Sequence, residues 1–228
     1  MVTEGFLSVT KNRRVILMYW DEIWELTDRK RITAYVKKCD LTPDAVIRYL
    51  HKRGAVSVCD AGCGCGLFSL KLAANGFSVS GFDISAKAAE IASDLLKKKG
   101  YYGDFRAAAV TETGYEDHAF DAVVSMDVLD HMTLKEARQA VQELCRITRP
   151  GGCVIASVDG PDEEYETEPH TVNEDGDYLY TDGKWKGRVY HPYTPEELGE
   201  MTGKPYVMLE NPDDRKGMYT MVIRNWES

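Results

Sequence analysis

The stretch Val58-Cys59-Asp60-Ala61-Gly62-Cys63-Gly64-Cys65-Gly66 constrains the fold more than any other part of the chain. An apolar run ends in an acid and breaks into alternate glycines before a helix-like segment, which reads as a strand, a tight loop and a helix. Glycine lets the backbone turn sharply and lets a ligand lie against bare main chain at the carboxyl edge of the strand, where open α/β sheets bind their ligands. As a dinucleotide fingerprint the stretch fails at its third glycine, because the position required holds Leu67. Asp83 ends the next apolar run, twenty-three residues beyond Asp60, where a carboxylate can accept hydrogen bonds from ribose hydroxyls. Loop and acid together imply a bound nucleoside.

The rest of the chain supports that frame. From residue 55 short apolar runs alternate with helix-like stretches, the pattern of βαβ units and a largely parallel sheet. Strands are expected at residues 55–60, 77–83, 105–109, 121–126 and 153–158, each bounded by Gly, Asp or Pro, and an antiparallel pair at 206–209 and 218–223. Their near-continuous apolar character suits strands covered by helices on both faces. Helix starts are marked by Asp44 after Thr42-Pro43, by Ser85, by the capping box of Thr133 and Glu136, and by Thr194-Pro195. Arg149-Pro150-Gly151-Gly152 is expected to stop one helix and turn the chain into the next strand. The expected organisation is one domain over 1–228: an N-terminal helical cap (1–54), a cofactor-binding core (55–158), an aromatic-rich lid or substrate-binding insertion (159–193) with a hairpin about Thr181-Asp182-Gly183-Lys184, and a C-terminal helix with edge strands (194–228).

Four elements in order, Asp60 to Gly66, Gly81 to Ser85, Phe120 to His131 and Arg149 to Gly152, make the sequence resemble the class I S-adenosylmethionine-dependent methyltransferases of small-molecule type. The resemblance covers residues 55–158. It implies a Rossmann-like α/β fold, a mostly parallel seven-stranded sheet with helices on both faces and an antiparallel edge strand. It also implies S-adenosylmethionine as donor and S-adenosylhomocysteine as product. Carried over, Asp60, Gly62, Cys63, Gly64 and Gly66 would hold the methionine end, Asp83 the ribose, and Ile84 the adenine. The family's frequent acid near Ala109 and Val110 is missing, which leaves Val110 its backbone N–H. Met126 and Asp127 would approach the sulfonium, and Tyr19 or Trp20 would close over the cofactor or pack into the core.

Methyl transfer from a sulfonium needs positioning and dryness more than covalent machinery, which accounts for the lack of a Ser-His-Asp or Cys-His signature. His131, beside the end of the fourth strand, is the candidate general base; a backbone-bonded histidine at a helix entry is the structural alternative. His170 and His191 flank the insertion and are candidates for the acceptor pocket, whereas His51 and His118 read as surface residues.

The formal net charge of −9 argues against a broad polyanion-binding surface, so a small-molecule acceptor is expected and nucleic acid is not. Nine acids and no Lys or Arg fall between Asp159 and Asp177, a solvated loop or a mouth that favours cations. No apolar run is long enough to span a bilayer, and the start lacks a signal-like pattern, so no membrane association is expected and the cytoplasm is the expected compartment. Cys59, Cys63 and Cys65 are too tightly spaced for a disulfide framework and lack a zinc-site pattern, so no metal is expected; Cys39, Cys145 and Cys153 read as small buried hydrophobes. Three other readings stay open: a nicotinamide-dependent oxidoreductase, an aminopropyltransferase on a similar sheet, and a non-catalytic S-adenosylmethionine-binding protein. The sequence does not set the oligomeric state.

Overall fold

The computed structural model describes residues 19–27, 29–211 and 216–225, so the part of the expected N-terminal cap before residue 19 lies outside the described residues. The chain runs through α1 (19–25), α2 (Arg29–Lys38), α3 (Ala45–Lys52), β1 (Ser57–Ala61), α4 (Leu67–Ala74), β2 (Ser78–Asp83), α5 (Ala86–Lys98) and β3 (Phe105–Ala107). It continues through β4 (Phe120–Met126), α6 (Leu134–Ile147), β5 (Thr148–Asp159), α7 (Glu163–Glu166), β6 (His170–Val172), β7 (Tyr178–Tyr180) and β8 (Val189–Tyr190). The last elements are α8 (Pro195–Thr202), β9 (Tyr206–Met208) and β10 (Met218–Arg224).

Seven strands form one sheet in the order β3-β2-β1-β4-β5-β10-β9. β1 pairs in parallel with β2 and β4, β2 with β3, and β4 with β5, while β10 runs antiparallel to both β5 and β9. The expected parallel sheet with an antiparallel edge is therefore present, and the order reverses between β1 and β4. That reversal opens a crevice at the carboxyl ends of the strands, the place where such sheets take their ligands.

The two-residue period of a strand sorts the core into two layers. Val58, Ala122, Val124, Ile155 and Val222 pack with α3, α4 and α5 on one face. Cys59, Val123, Val154, Ala156 and Met221 face α6 and α8 on the other. α3, α5 and α6 begin where the sequence places a capping residue. Asp44 Oδ1 accepts the Ile47 N–H at 2.9 Å, Ser85 caps through the Ala88 N–H, and Thr133 and Glu136 complete a reciprocal capping box.

Three details differ from the sequence pattern. β3 is shorter than expected: its last ladder bond runs from the Ala108 N–H to the Asp83 carbonyl, and Ala109 then bridges to Glu112 instead of β2. The Arg149-Pro150-Gly151-Gly152 run does not separate helix from strand: β5 starts at Thr148, and the run is absorbed as an irregularity opposite Phe120 and Ala122. Asn225 accommodates it, donating from Nδ2 to the Cys145 and Thr148 carbonyls and accepting the Gly151 N–H. Third, the turn between β7 and β8 is wider than four residues, with a single helical turn at Gly183–Trp185.

Residues 159–193 fold as α7 and a small antiparallel sheet, β6-β7-β8, around Tyr180, Trp185 and Tyr190 with Tyr165 and Tyr178 packed against them. Its acids are mostly exposed, with Asp159 and Asp177 the buried exceptions. No helix among the described residues is long and apolar enough to cross a membrane. All six cysteines are free thiols; Cys145 and Cys153 are buried as expected, but Cys39 is only half-buried, its Sγ directed at the Leu67 carbonyl.

Candidate active site

Four strand ends and the N-terminal helix enclose a cavity of about 270 Å³ at the topological switch, near the lower end of the range for small-molecule sites. Its floor is the glycine loop. Gly62 and Gly64 line the cavity, while Cys63 between them and Cys65 after them are buried. Both glycines have φ in the left-handed region, +75° and +50°, and a Cβ on Gly64 would stand 3.0 Å from the Trp24 ring. The loop is fastened to β2: the Gly62 and Cys63 N–H groups both donate to the Phe82 carbonyl, at 2.8 and 2.9 Å.

Asp83 stands at the end of β2, 8% exposed, and lines the cavity. Its Oδ2 accepts the Gly64 N–H and its Oδ1 the Ser85 N–H, each at 2.9 Å. A carboxylate oxygen accepts more than one hydrogen bond, so capacity remains on the cavity side for paired hydroxyls. Burial pushes its carboxyl above the ordinary value in spite of those donors. Next to it, Phe82, Ile84, Ala108, Val110 and Met132 make an apolar wall that suits a planar base. Trp20 and Trp24 of α1 also line the cavity, Trp24 against Gly64.

The end of β4 brings Asp127, Val128 and, after a short helical turn, His131. Asp127 holds φ at +54°, unusual for a residue with a side chain, and Ser157 fixes it by accepting its N–H at 2.9 Å and donating to its Oδ1 at 3.0 Å. The His131 ring packs 5.3 Å from Trp20, and its Nδ1 lies 3.8 Å from Oδ2 of Asp130. Asp130 is fully buried, and neither of its carboxylate oxygens has a hydrogen-bond partner. Burial, with Asp127 and Asp159 nearby, pushes its carboxyl up to about 8.

Of the residues nominated from sequence, Gly62, Gly64, Asp83, Ile84, Val110, Asp127, Trp20 and His131 line this one cavity. Asp60, Cys63, Gly66, Met126 and Tyr19 do not. Asp60 is turned away and accepts the Ser69 hydroxyl at 2.5 Å, its carboxyl pushed up by burial to about 6. Gly66 lies against α5, where a Cβ would meet the Ala92 backbone at 2.9 Å. Met126 packs against the core layer of α3 and α4, and the Tyr19 ring sits edge-on to Trp20 at 5.1 Å. His170 stacks on Tyr178 and His191 is buried against Asp177, so neither reaches the cavity. No residue of 159–193 lines it among those described. Sequence reasoning missed Trp24, Phe82, Ala108, Thr111, Val128, Met132, Glu136 and Gln139. The segment after β3 sits at the same sheet edge as Asp83, so strand order would have nominated Ala108 and Thr111; nothing local marks Trp24. Among the described residues no three His, Cys, Asp or Glu side chains are grouped to hold a metal ion.

The sheet order, the glycine loop and the cavity define a class I S-adenosylmethionine-dependent methyltransferase fold. Residues 59–156 match a family model described as a methyltransferase domain. The chain is 34% identical over 102 residues to a ubiquinone biosynthesis O-methyltransferase of Nitrosomonas europaea, an alignment covering 44% of this chain and 43% of that protein. It covers less than two thirds of the length of the first such relatives. A solved Methanosarcina mazei structure described as an S-adenosylmethionine-dependent methyltransferase superposes with a TM-score of 0.65 at 22% identity, covering 82% of this chain and all of that one. A Burkholderia thailandensis 1,6-didemethyltoxoflavin-N1-methyltransferase, solved with that acceptor and S-adenosylhomocysteine, gives 0.58 at 21% identity, covering 82% and 78%. At those identities the structural likeness speaks for the fold.

Proposed function

We propose that the protein transfers a methyl group from S-adenosylmethionine to a small-molecule acceptor by in-line displacement. The observation that carries this reading is the buried Asp83 carboxylate, hydrogen-bonded to the glycine loop and facing a cavity whose adjoining wall is apolar. A diol on the acid and a flat base on the wall are the two demands of an adenosine, and the bare glycines leave room for the chain beyond it. When bound, the donor supplies an electrophilic methyl on a positively charged sulfur.

In this reading Gly62 and Gly64 cradle the methionine portion, Asp83 holds the ribose, and Ile84 with Val110 receives the adenine. Trp20 and Trp24 exclude water, which favours displacement over hydrolysis. Asp127 and Val128 border the reacting end, and His131 is the group placed to take a proton from a hydroxyl or amine nucleophile. Asp60, Cys63, Gly66 and Met126 hold the loop in shape, and Tyr19 supports Trp20. The relatives' small-molecule acceptors support a small acceptor here, and the six free thiols agree with a cytoplasmic protein. Parallel calorimetric titrations with S-adenosylhomocysteine, S-adenosylmethionine and NAD test the reading. Binding of the first two without the third is expected; binding of NAD alone would replace it with an oxidoreductase.

A further inference from the structure

Arg188 lies in the insertion just before β8 and places its guanidinium against the candidate base. Its Nη2 is 3.2 Å from Nδ1 and 3.4 Å from Nε2 of His131. A nitrogen that near to both ring nitrogens cannot lie in the ring plane, where Cε1 stands between them, so the guanidinium lies over the imidazole face. Tyr165 and Trp185 border the same group, their ring centroids 5.0 and 5.1 Å from Cζ. The cation is thus set among three rings next to a residue that lines the cavity.

Its charge is not matched. Nε is buried without a hydrogen-bond partner, Nη1 makes none with the described residues, and no carboxylate among them comes within ion-pair range of the group. Asp130 Oδ2 lies 3.8 Å from His131 Nδ1; burial pushes its carboxyl up to about 8, outweighing Arg188, which favours the ionised form, and Asp130 makes no ion pair with the guanidinium. Asp159 takes the Tyr165 hydroxyl at 3.0 Å. The exposed acids of α7 belong to the solvated side of the insertion. Ring faces satisfy a guanidinium's charge only in part, since its in-plane N–H donors still lack acceptors, and its planar fork of donors fits a carboxylate.

We propose that Arg188 anchors a carboxylate of an aromatic methyl acceptor, whose nucleophile then lies beside His131. The proposal rests on the methyltransferase reading above and names the chemical class of its acceptor. The aromatic part follows from the walls, Trp20 on one side of His131 and Tyr165 with Trp185 about the guanidinium. One compact cation in an acidic protein suits a small monoanion, not a polyanion.

The test is a calorimetric titration of the S-adenosylhomocysteine-saturated protein with benzoate, with its neutral isostere benzamide and with phenylphosphonate, in the wild type, R188Q and R188K. Benzoate is expected to bind the wild type about tenfold more tightly than benzamide does. R188Q should abolish that preference and R188K should keep part of it. All three proteins should bind S-adenosylhomocysteine alike, since Arg188 does not line the cavity, and this shared affinity reports that the variants are folded. Equal affinity for benzoate and benzamide, no benzoate binding in the millimolar range, or a preference that survives R188Q overturns the proposal. Tighter binding of phenylphosphonate overturns the carboxylate assignment. Failure of the wild type to bind S-adenosylhomocysteine instead counts against the methyltransferase reading, while benzoate titrated into the unloaded protein still reads Arg188.

Discussion

Asp83 and Asp130 are both buried carboxyls at the cavity end of the sheet, and their partners separate their chemistry. Asp83 takes two backbone N–H donors and keeps its remaining capacity towards the cavity. Asp130 takes none, so burial dominates and its carboxyl moves from the ordinary 3.8 up to about 8. Between those two values the folded protein holds a proton that the unfolded chain has released. Stability therefore falls as pH rises through that window, by at most about 6 kcal/mol. Asp130→Asn removes this dependence: its melting temperature should gain on the wild type steadily from pH 4 to pH 8, measured by differential scanning calorimetry. A constant difference across that range would show that Asp130 is ionised in the folded state. At this scale the sequence was informative where backbone position alone decides: Asp83 and Ile84 at the end of β2 and Asp127 just past β4 all line the cavity. It misled at Asp60 and Met126, whose side-chain directions depend on Ser69 and on the packing against α3 and α4.

The elements follow the same division between local and distant causes. The caps at Asp44, Ser85, Thr133 and Thr194 were legible because each is decided within four residues, and the core strands because their apolar runs are unmistakable. The strands of the insertion are two or three residues long and carry no period; aromatic packing about Trp185 and Tyr190 sets them. So does one buried connection. Asp177 Oδ1 accepts both the Leu134 N–H at the start of α6 and Nδ1 of His191, each at 2.8 Å, and its Oδ2 accepts from Asn173 at 2.7 Å. Burial raises the Asp177 carboxyl, but the hydrogen bonds from His191, Leu134 and Asn173 outweigh it and hold the group below its ordinary value. Asp177→Ala should cost about 2–4 kcal/mol, because it strands a buried N–H and a buried imidazole. It should also open residues 160–190 to protease while S-adenosylhomocysteine binding persists. An unchanged melting temperature and digestion pattern would mean that aromatic packing alone seats the insertion on α6.

For the whole molecule, strand order gathers the cavity-lining residues at one edge, and ligand should stabilise the fold as a unit. A ligand that binds only the folded state, present at a hundred times its dissociation constant, adds about 2.7 kcal/mol. For a chain of this size that corresponds to a rise in melting temperature of roughly 5–10 °C. S-Adenosylhomocysteine should produce such a rise and NAD none, in a thermal melt followed by circular dichroism. Asp83→Asn keeps one acceptor for the loop or for Ser85 but loses the ionised pair of oxygens, so it should weaken binding by about 1–3 kcal/mol. At the same ligand concentration its rise should shrink to a few degrees or vanish, while the unliganded melting temperature moves much less. If Asp83→Asn instead lowered the unliganded melting temperature and left the ligand-induced rise intact, the acid would serve the glycine loop and not the ribose. The sugar would then be held elsewhere on the cavity wall, with Asp127 or Thr111 the next side chains to test.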